Sequence, residues 1–301
     1  MRKKYVAGCL LAVLSCFFSV QSSASNLVVG GKNFTEQLLL SSMTAQYLRT
    51  KGYQVDLKNG LGSTLMRKAQ ESGQLDIVWE YTGTSLIVYN HVDEKLDAEA
   101  TYARVKEFDA QIGLVWLNES ALNNTYAFAM PQQVADELHI DTLEDLAQRI
   151  SEDQQQDGGK PHLIGIDYEF ASRPDGLEPM QQLYGFRLTR NDVKQMDPGL
   201  VYTALRNQQL FAGLTYSSDG RIKAFNLKLL QDNKGYFAPY KATPVVRQEV
   251  LEQNPQLAAQ LNALSAVIDT EKMTELNRRV DIDQEPVSQV VTDFLQQQGL
   301  I

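Results

Sequence analysis

The chain has 301 residues, 43% of them hydrophobic and 22% charged, with a formal net charge of −9 and two cysteines. These are globular values, with enough apolar material for two lobes of ordinary size. The acidic balance argues against a nucleic-acid partner, whose binders present basic surfaces, and two cysteines are too few for a disulfide framework.

Residues 1–24 read as an export signal. Arg2, Lys3 and Lys4 form a basic start, Val6 to Val20 is apolar, and Ser22-Ser23-Ala24 supplies small residues for cleavage. The apolar run of about 15 residues falls short of the ~20 that cross a bilayer. Cys9 and Cys16 both lie inside it, each followed by apolar residues, so a cleaved periplasmic product is expected ahead of a lipid-anchored one. Without the leader, 25 basic residues face 37 acidic ones, a net charge of −12, and no cysteine remains. Stability must then come from the core.

Leu27-Val28-Val29-Gly30 predicts a short buried strand, and Asn33 with Glu36 has the spacing of a capping pair for a helix to about Lys51. Tyr53 to Leu57 alternates as a second strand, Thr64 to Ser72 predicts a helix with Leu65, Met66 and Ala69 inward, and Leu75 to Trp79 a third strand. This β-α-β-α-β order implies a parallel sheet, whose ligands bind outside the carboxyl ends of the strands. Lys32, after the first strand, and Tyr81 with Thr84, after the third, therefore fall on one edge. Gly83 is expected to supply permissive backbone for a tight turn, and a helix from Thr84 to carry Leu86, Ile87 and Tyr89 into the core.

A helix over 97–112 and a strand over 113–117 follow, and Asn123 to Met130 is expected to cross into a second lobe. There the pattern predicts a helix from Asp141-Thr142, a polar loop over 151–160, a strand over 163–166, a helix through Met180 and Leu183, a helix after Asp197-Pro198-Gly199 and a strand over 210–216. Leu227 to Gln231 is expected to return to the first lobe, which helices from Arg247 onward complete. The division is thus 1–24 for the leader, 25–124 for the first part of lobe 1, 125–225 for lobe 2 and 226–301 for the rest of lobe 1.

Six segments, in order, carry a resemblance: Gly31-Lys32-Asn33-Phe34-Thr35-Glu36-Gln37, Glu80-Tyr81-Thr82-Gly83-Thr84, Asn123-Asn124-Thr125-Tyr126-Ala127, Glu169-Phe170 with Arg173-Pro174-Asp175-Gly176, Tyr216-Ser217-Ser218-Asp219-Gly220-Arg221, and Pro239-Tyr240. The chain resembles the substrate-binding proteins of osmoprotectant ABC transporters, the glycine betaine, choline and carnitine type. The resemblance implies an α/β, two-lobed, periplasmic-binding-protein-like (type II) fold with a ligand cleft between the lobes. It implies a quaternary ammonium ligand held by a cage of Tyr81, Tyr126, Tyr216 and Tyr240, with a main-chain carbonyl from Asn124. A betaine carboxylate would be held by Lys32, Thr84 and Arg173. A quaternary ammonium cannot donate a hydrogen bond and is held by ring faces, whereas a guanidinium and an ammonium suit a carboxylate. Threonine at 84 favours betaines over choline, because an acid there would repel a carboxylate.

The implied partners are a membrane permease and its ATPase, met by a monomer, with no cofactor, no metal and no nucleic acid. Enzymatic activity is not expected: His91, His139 and His162 are scattered, and Asp76 and Glu80 on one strand face stand about 13 Å apart, too far for concerted acid–base work. The alternatives are a binding protein for choline or another small amine, serving nutrient uptake or sensing, and an exported dehydratase-like enzyme on the same fold.

Overall fold

The computed structural model describes residues 26–155 and 162–301, so the expected leader and the end of the expected 151–160 loop lie outside the described residues. The first sheet begins with β1 (Asn26–Lys32), α1 (Thr35–Thr50), β2 (Gln54–Leu61), α2 (Ser63–Glu71) and β3 (Ile77–Tyr81). β1 pairs in parallel with both neighbours, Leu27 opposite Val55 and Val29 opposite Ile77. α1 buries Leu39, Leu40, Met43, Tyr47 and Leu48 on this sheet.

Two local expectations fail here. The Asn33–Glu36 capping pair does not form: Phe34 holds the cap position without a side-chain bond, and Glu36 turns inward. On α2, Leu65 is 59% exposed while Arg67 is buried. The Arg67 guanidinium donates to both Asp109 oxygens at 2.6 and 2.7 Å, and that paired geometry lets a charged residue take the inner face.

After β3 the chain makes one turn, α3 (Thr82–Thr84), and a π-helical turn over Ser85–Tyr89 rather than a regular helix. Gly83 is helical, so backbone freedom is not what it supplies. A Cβ there would lie 2.8 Å from both the Pro239 carbonyl oxygen and Tyr240 Cε1. Glycine is required by the close approach of a distant segment. Then follow α4 (Ala98–Ala110), capped by the Asp97 carboxylate accepting from the Ala100 N–H at 2.8 Å, and β4 (Leu114–Trp116).

The second sheet is built from β5 (Tyr126–Pro131), α5 (Gln132–Glu137), α6 (Leu143–Gln155), β6 (Ile164–Ile166), α7 (Leu177–Tyr184), β7 (Val193–Gln195), α8 (Pro198–Arg206), β8 (Ala212–Tyr216), α9 (Arg221–Ala224) and β9 (Leu227–Leu230). Ser151 to Gln155 continues α6 instead of looping, held by the Ser151 hydroxyl on the Ala147 carbonyl and the Arg149–Asp153 pair. β9 does not return to the first lobe. It pairs antiparallel with β5, Phe128 opposite Leu230, so the return falls between Leu230 and Ala242. The first sheet is completed by β10 (Ala242–Arg247), and α10 (Gln248–Gln253), α11 (Leu257–Ser265), α12 (Thr270–Asp281) and α13 (Val287–Gln297) follow.

The sheet orders are β2-β1-β3-β10-β4 and β7-β6-β8-β5-β9. Each has three parallel strands, then an antiparallel strand that arrives from the other lobe, then a fifth strand antiparallel to that one. β10 thus does in the first sheet what β5 does in the second. Pro244 in β10 faces Trp79 across the pair, and its carbonyl still accepts from the Leu117 N–H at 3.0 Å. The ring removes a donor and leaves the acceptor working.

Gly83→Ala is expected to destabilise the protein by roughly 1–3 kcal/mol through overpacking against Tyr240. Chemical denaturation measures it, and a loss no larger than that of Ala→Gly at an exposed helical site would remove the steric account.

Candidate functional site

An antiparallel strand starts where its parallel neighbour ends, so β5 and β10 bring their first residues to the carboxyl ends of β8 and β3. Tyr126 lies directly opposite Tyr216, and Ala242 opposite Tyr81, with Tyr240 two residues earlier. The two crossing segments meet in a bridge, Asn123 with Lys241, and the Asn124 N–H donates to the Tyr240 carbonyl at 3.0 Å. All seven residues expected to hold a ligand (Lys32, Tyr81, Thr84, Tyr126, Arg173, Tyr216 and Tyr240) line one cleft between the lobes, as does Asn124.

The rings form a continuous wall. Tyr126 lies 5.4 Å from Tyr216 and 5.4 Å from Tyr240, edge-on to the latter. Phe34 stacks on Tyr216 at 5.2 Å and flanks Tyr81 at 6.3 Å, joining the rings of the two lobes. Sequence reasoning passed over Phe34, although it stands next to the residues singled out for the site. Offset and edge-on pairs of this kind hold rings in fixed orientations.

Both cationic residues are buried, and both are paired. Lys32 Nζ lies 2.6 Å from Glu80 Oε1 and 5.1 Å above the Tyr81 ring. Glu80 also accepts from the Tyr81 N–H at 2.8 Å and the Tyr89 hydroxyl at 3.0 Å, so it supports the turn and does not line the cleft. Arg173 donates through Nε and Nη2 to both oxygens of Asp175 at 2.7 Å, reaches Thr84 Oγ1 from Nη1 at 3.4 Å, and packs over the Tyr126 and Tyr240 rings at 5.3 and 5.9 Å. Burial works against its charge, but Tyr126, Asp175 and Tyr240 hold its pKa well above the ordinary arginine value. One edge of the guanidinium therefore remains directed to the cleft beside Thr84.

Three carboxylates at the site were not anticipated. Glu36 accepts from the Tyr81 hydroxyl at 2.6 Å and from Ser218 of the other lobe at 2.6 Å. Asp167, just after β6, accepts from the Phe170 N–H at 2.7 Å and the Tyr216 hydroxyl at 3.1 Å. Glu169 accepts from the Ser63 N–H at 2.7 Å, sealing the start of α2 across the lobe boundary. The signal that could have found the last two is position, since both follow a strand at the sheet edge where the other site residues lie.

Further contacts tie the lobes together: Asn277 Nδ2 donates to the Ser218 carbonyl at 3.1 Å, and Arg221 pairs with Asp281 at 3.3 Å. Among the described residues, no cluster of His, Cys, Asp and Glu is placed to hold a metal ion, and no helix is long and apolar enough to cross a membrane. The arrangement gathers ring faces, carboxylates and the Arg173, Lys32 and Thr84 donors into one cleft, with Arg173 against the Tyr126 and Tyr240 rings and Lys32 against the Tyr81 ring.

The family profile described as the substrate-binding domain of ABC-type glycine betaine transport systems matches residues 25–297. The chain is 52% identical to a glycine-betaine-binding protein of Pseudomonas aeruginosa, over 97% of this chain and 94% of the relative. It is 32% identical to a carnitine transport binding protein of Listeria monocytogenes, over 98% and 97% of the two chains. A crystal structure of a glycine betaine/carnitine/choline ABC transporter superimposes with a TM-score of 0.72 at 28% identity, covering 92% of this chain and 99% of that one. These likenesses run the full length of both lobes.

Burial pushes the Glu36 carboxyl up from 4.5 to about 7, against the hydrogen bonds from Ser218 and Tyr81 that pull it down. A raised carboxyl costs stability when ionised, so the penalty is absent below about pH 4.5, grows as pH rises, and is complete above about pH 7. In the ligand-free protein, Glu36→Gln should therefore gain relative to wild type between pH 5 and pH 8, by up to about 3 kcal/mol. Thermal or urea unfolding of both proteins at the two pH values measures it, and a pH-independent difference would place Glu36 in solvent.

Proposed function

The chain belongs to the substrate-binding domains of ABC-type glycine betaine transport systems, and from that premise we propose that its cleft closes on a betaine, trimethylammonium end toward the tyrosines and carboxylate toward Arg173, Lys32 and Thr84. It is a solute-binding protein of betaine and carnitine transport and hands a small ligand to a permease. The observation that carries the finer reading is the convergence, on one cleft, of four tyrosines and three side chains able to donate to a carboxylate, contributed by both lobes and by the crossing segments.

Closure follows from that distribution. Ligand contacts made by both lobes exist together only in the closed form, so the ligand favours it by its differential affinity. Thr84 and Lys32 come from one lobe and Arg173 and Tyr216 from the other. Thr84 carries a hydroxyl that can donate to a carboxylate, which supports betaines over choline. The permease with its ATPase is the partner of the closed monomer, and the chain is exported to the periplasm after removal of residues 1–24.

Calorimetric titration of the exported protein against glycine betaine, proline betaine, carnitine and choline tests the reading. Glycine betaine or another betaine should bind more tightly than choline, and Tyr126→Ala should weaken it by roughly 1–2 kcal/mol, the value of a cation–π contact in a desolvated site. Tighter binding of choline would reverse the assignment of Thr84, and silence toward all four ligands would remove the quaternary ammonium reading.

A further inference from the structure

Three of the four cage tyrosines donate their hydroxyls to carboxylates: Tyr81 to Glu36, Tyr216 to Asp167 and Tyr240 to Asp175. A buried phenol needs an acceptor, but a main-chain carbonyl serves, as the Gly176 carbonyl serves Tyr236 and the Leu117 carbonyl serves Tyr102, both at 2.6 Å. Charged acceptors also serve Tyr89 on Glu80, Tyr184 on Asp232 and Tyr202 on Asp219, so what sets the cleft apart is that three of its rings share this arrangement in one place.

The carboxylates differ in how their charge is balanced. Asp175 is matched by two bonds from Arg173, and Glu80 by Lys32. Asp167 lines the cleft at 4% exposure, and among the described residues its polar partners are the Phe170 N–H and the Tyr216 hydroxyl, neither of them charged. Burial raises its pKa and Glu169 adds to the rise, against the Phe170 and Tyr216 hydrogen bonds and the more distant charge of Arg173. A buried carboxylate with no cation paired directly to it is costly, and a cation brought into contact relieves that cost.

We infer that Asp167 is the counter-ion of the ligand's quaternary ammonium, set at the hydroxyl edge of the Tyr216 ring, and that Glu36 reinforces the Tyr81 ring in the same way. This rests on the reading of the cleft as an ammonium site. A phenol that donates to a carboxylate has more electron density on its face, and the carboxylate adds its own attraction at low local dielectric. Arg173 acts on Asp167 from a distance and offsets part of that field, but its bonds are spent on Asp175, and Lys32 is paired with Glu80. Asp167 thereby selects for charge, and the ring faces alone select for shape.

The test compares glycine betaine with 3,3-dimethylbutanoate, which keeps the carboxylate and the shape and replaces the ammonium nitrogen by carbon. Wild-type protein should bind glycine betaine more tightly, and Asp167→Asn should shrink that preference by about tenfold or more, as expected for one lost charge interaction at low dielectric, with little change for the carbon analogue. Asp167→Glu should restore part of it, and Glu36→Gln should shrink it in the same direction. Should Asp167→Asn fail to fold, Tyr216→Phe, which separates the carboxylate from the ring, should also reduce the preference. Equal losses for both ligands, or an unchanged preference, would overturn the inference while leaving the betaine reading intact. A wild-type protein that binds no quaternary amine would overturn both.

Discussion

The pairing of the two crossing segments, Asn123 against Lys241, decides where the other groups of the cleft fall. Because each segment enters its sheet as the antiparallel member, it must start at the carboxyl ends of parallel strands. Those are the ends where a doubly wound sheet exposes its loops and binds its ligands. Tyr126 is thereby set opposite Tyr216, and Tyr240 beside the turn that follows β3. Gly83 is the local condition for this, since any side chain there would meet Tyr240 and the Pro239 carbonyl. The crossing segments and the ring wall are one piece of backbone geometry.

A second constraint is electrostatic. Two buried cations would be costly in an empty cleft, and each carries its own carboxylate: Glu80 for Lys32 and Asp175 for Arg173. The pairs fix the side chains while leaving donors directed at the cleft. Carboxylates beyond those pairs, at Glu36 and Asp167, leave the wall short of positive charge. The proposed zwitterion would answer both features, with its cation against the rings and its anion against the remaining donors.

Much of this was legible in the sequence. The first βαβαβ unit and the placement of Lys32, Tyr81 and Thr84 at one edge followed from strand ends, and the convergence of the four tyrosines was implied by the family resemblance that six short segments carry. What was not legible depended on partners far away in the chain. β10 is hard to read because Pro244 argues against an interior strand, and its place at the end of β4 is what makes the proline harmless. Leu227–Leu230 reads as a strand from its sequence, but which sheet it joins is set by β5. Glu36 has the spacing of a cap, and its inward turn depends on Tyr81 and Ser218, residues 45 and 182 positions away. Arg67 and Leu65 exchange faces for the sake of Asp109, 42 positions from Arg67.

The central claim is that the cleft recognises both ends of one ligand, with Arg173 at the anionic end. The most direct measurement is a calorimetric cycle over Arg173 and Arg173→Ala with glycine betaine and choline, which share the trimethylammonium group and differ at the carboxylate. The account predicts a loss for glycine betaine about tenfold or more larger than that for choline, the scale of a charge-assisted hydrogen bond. Equal losses for the two ligands would make Arg173 a support for Asp175 and the rings alone, and would contradict it.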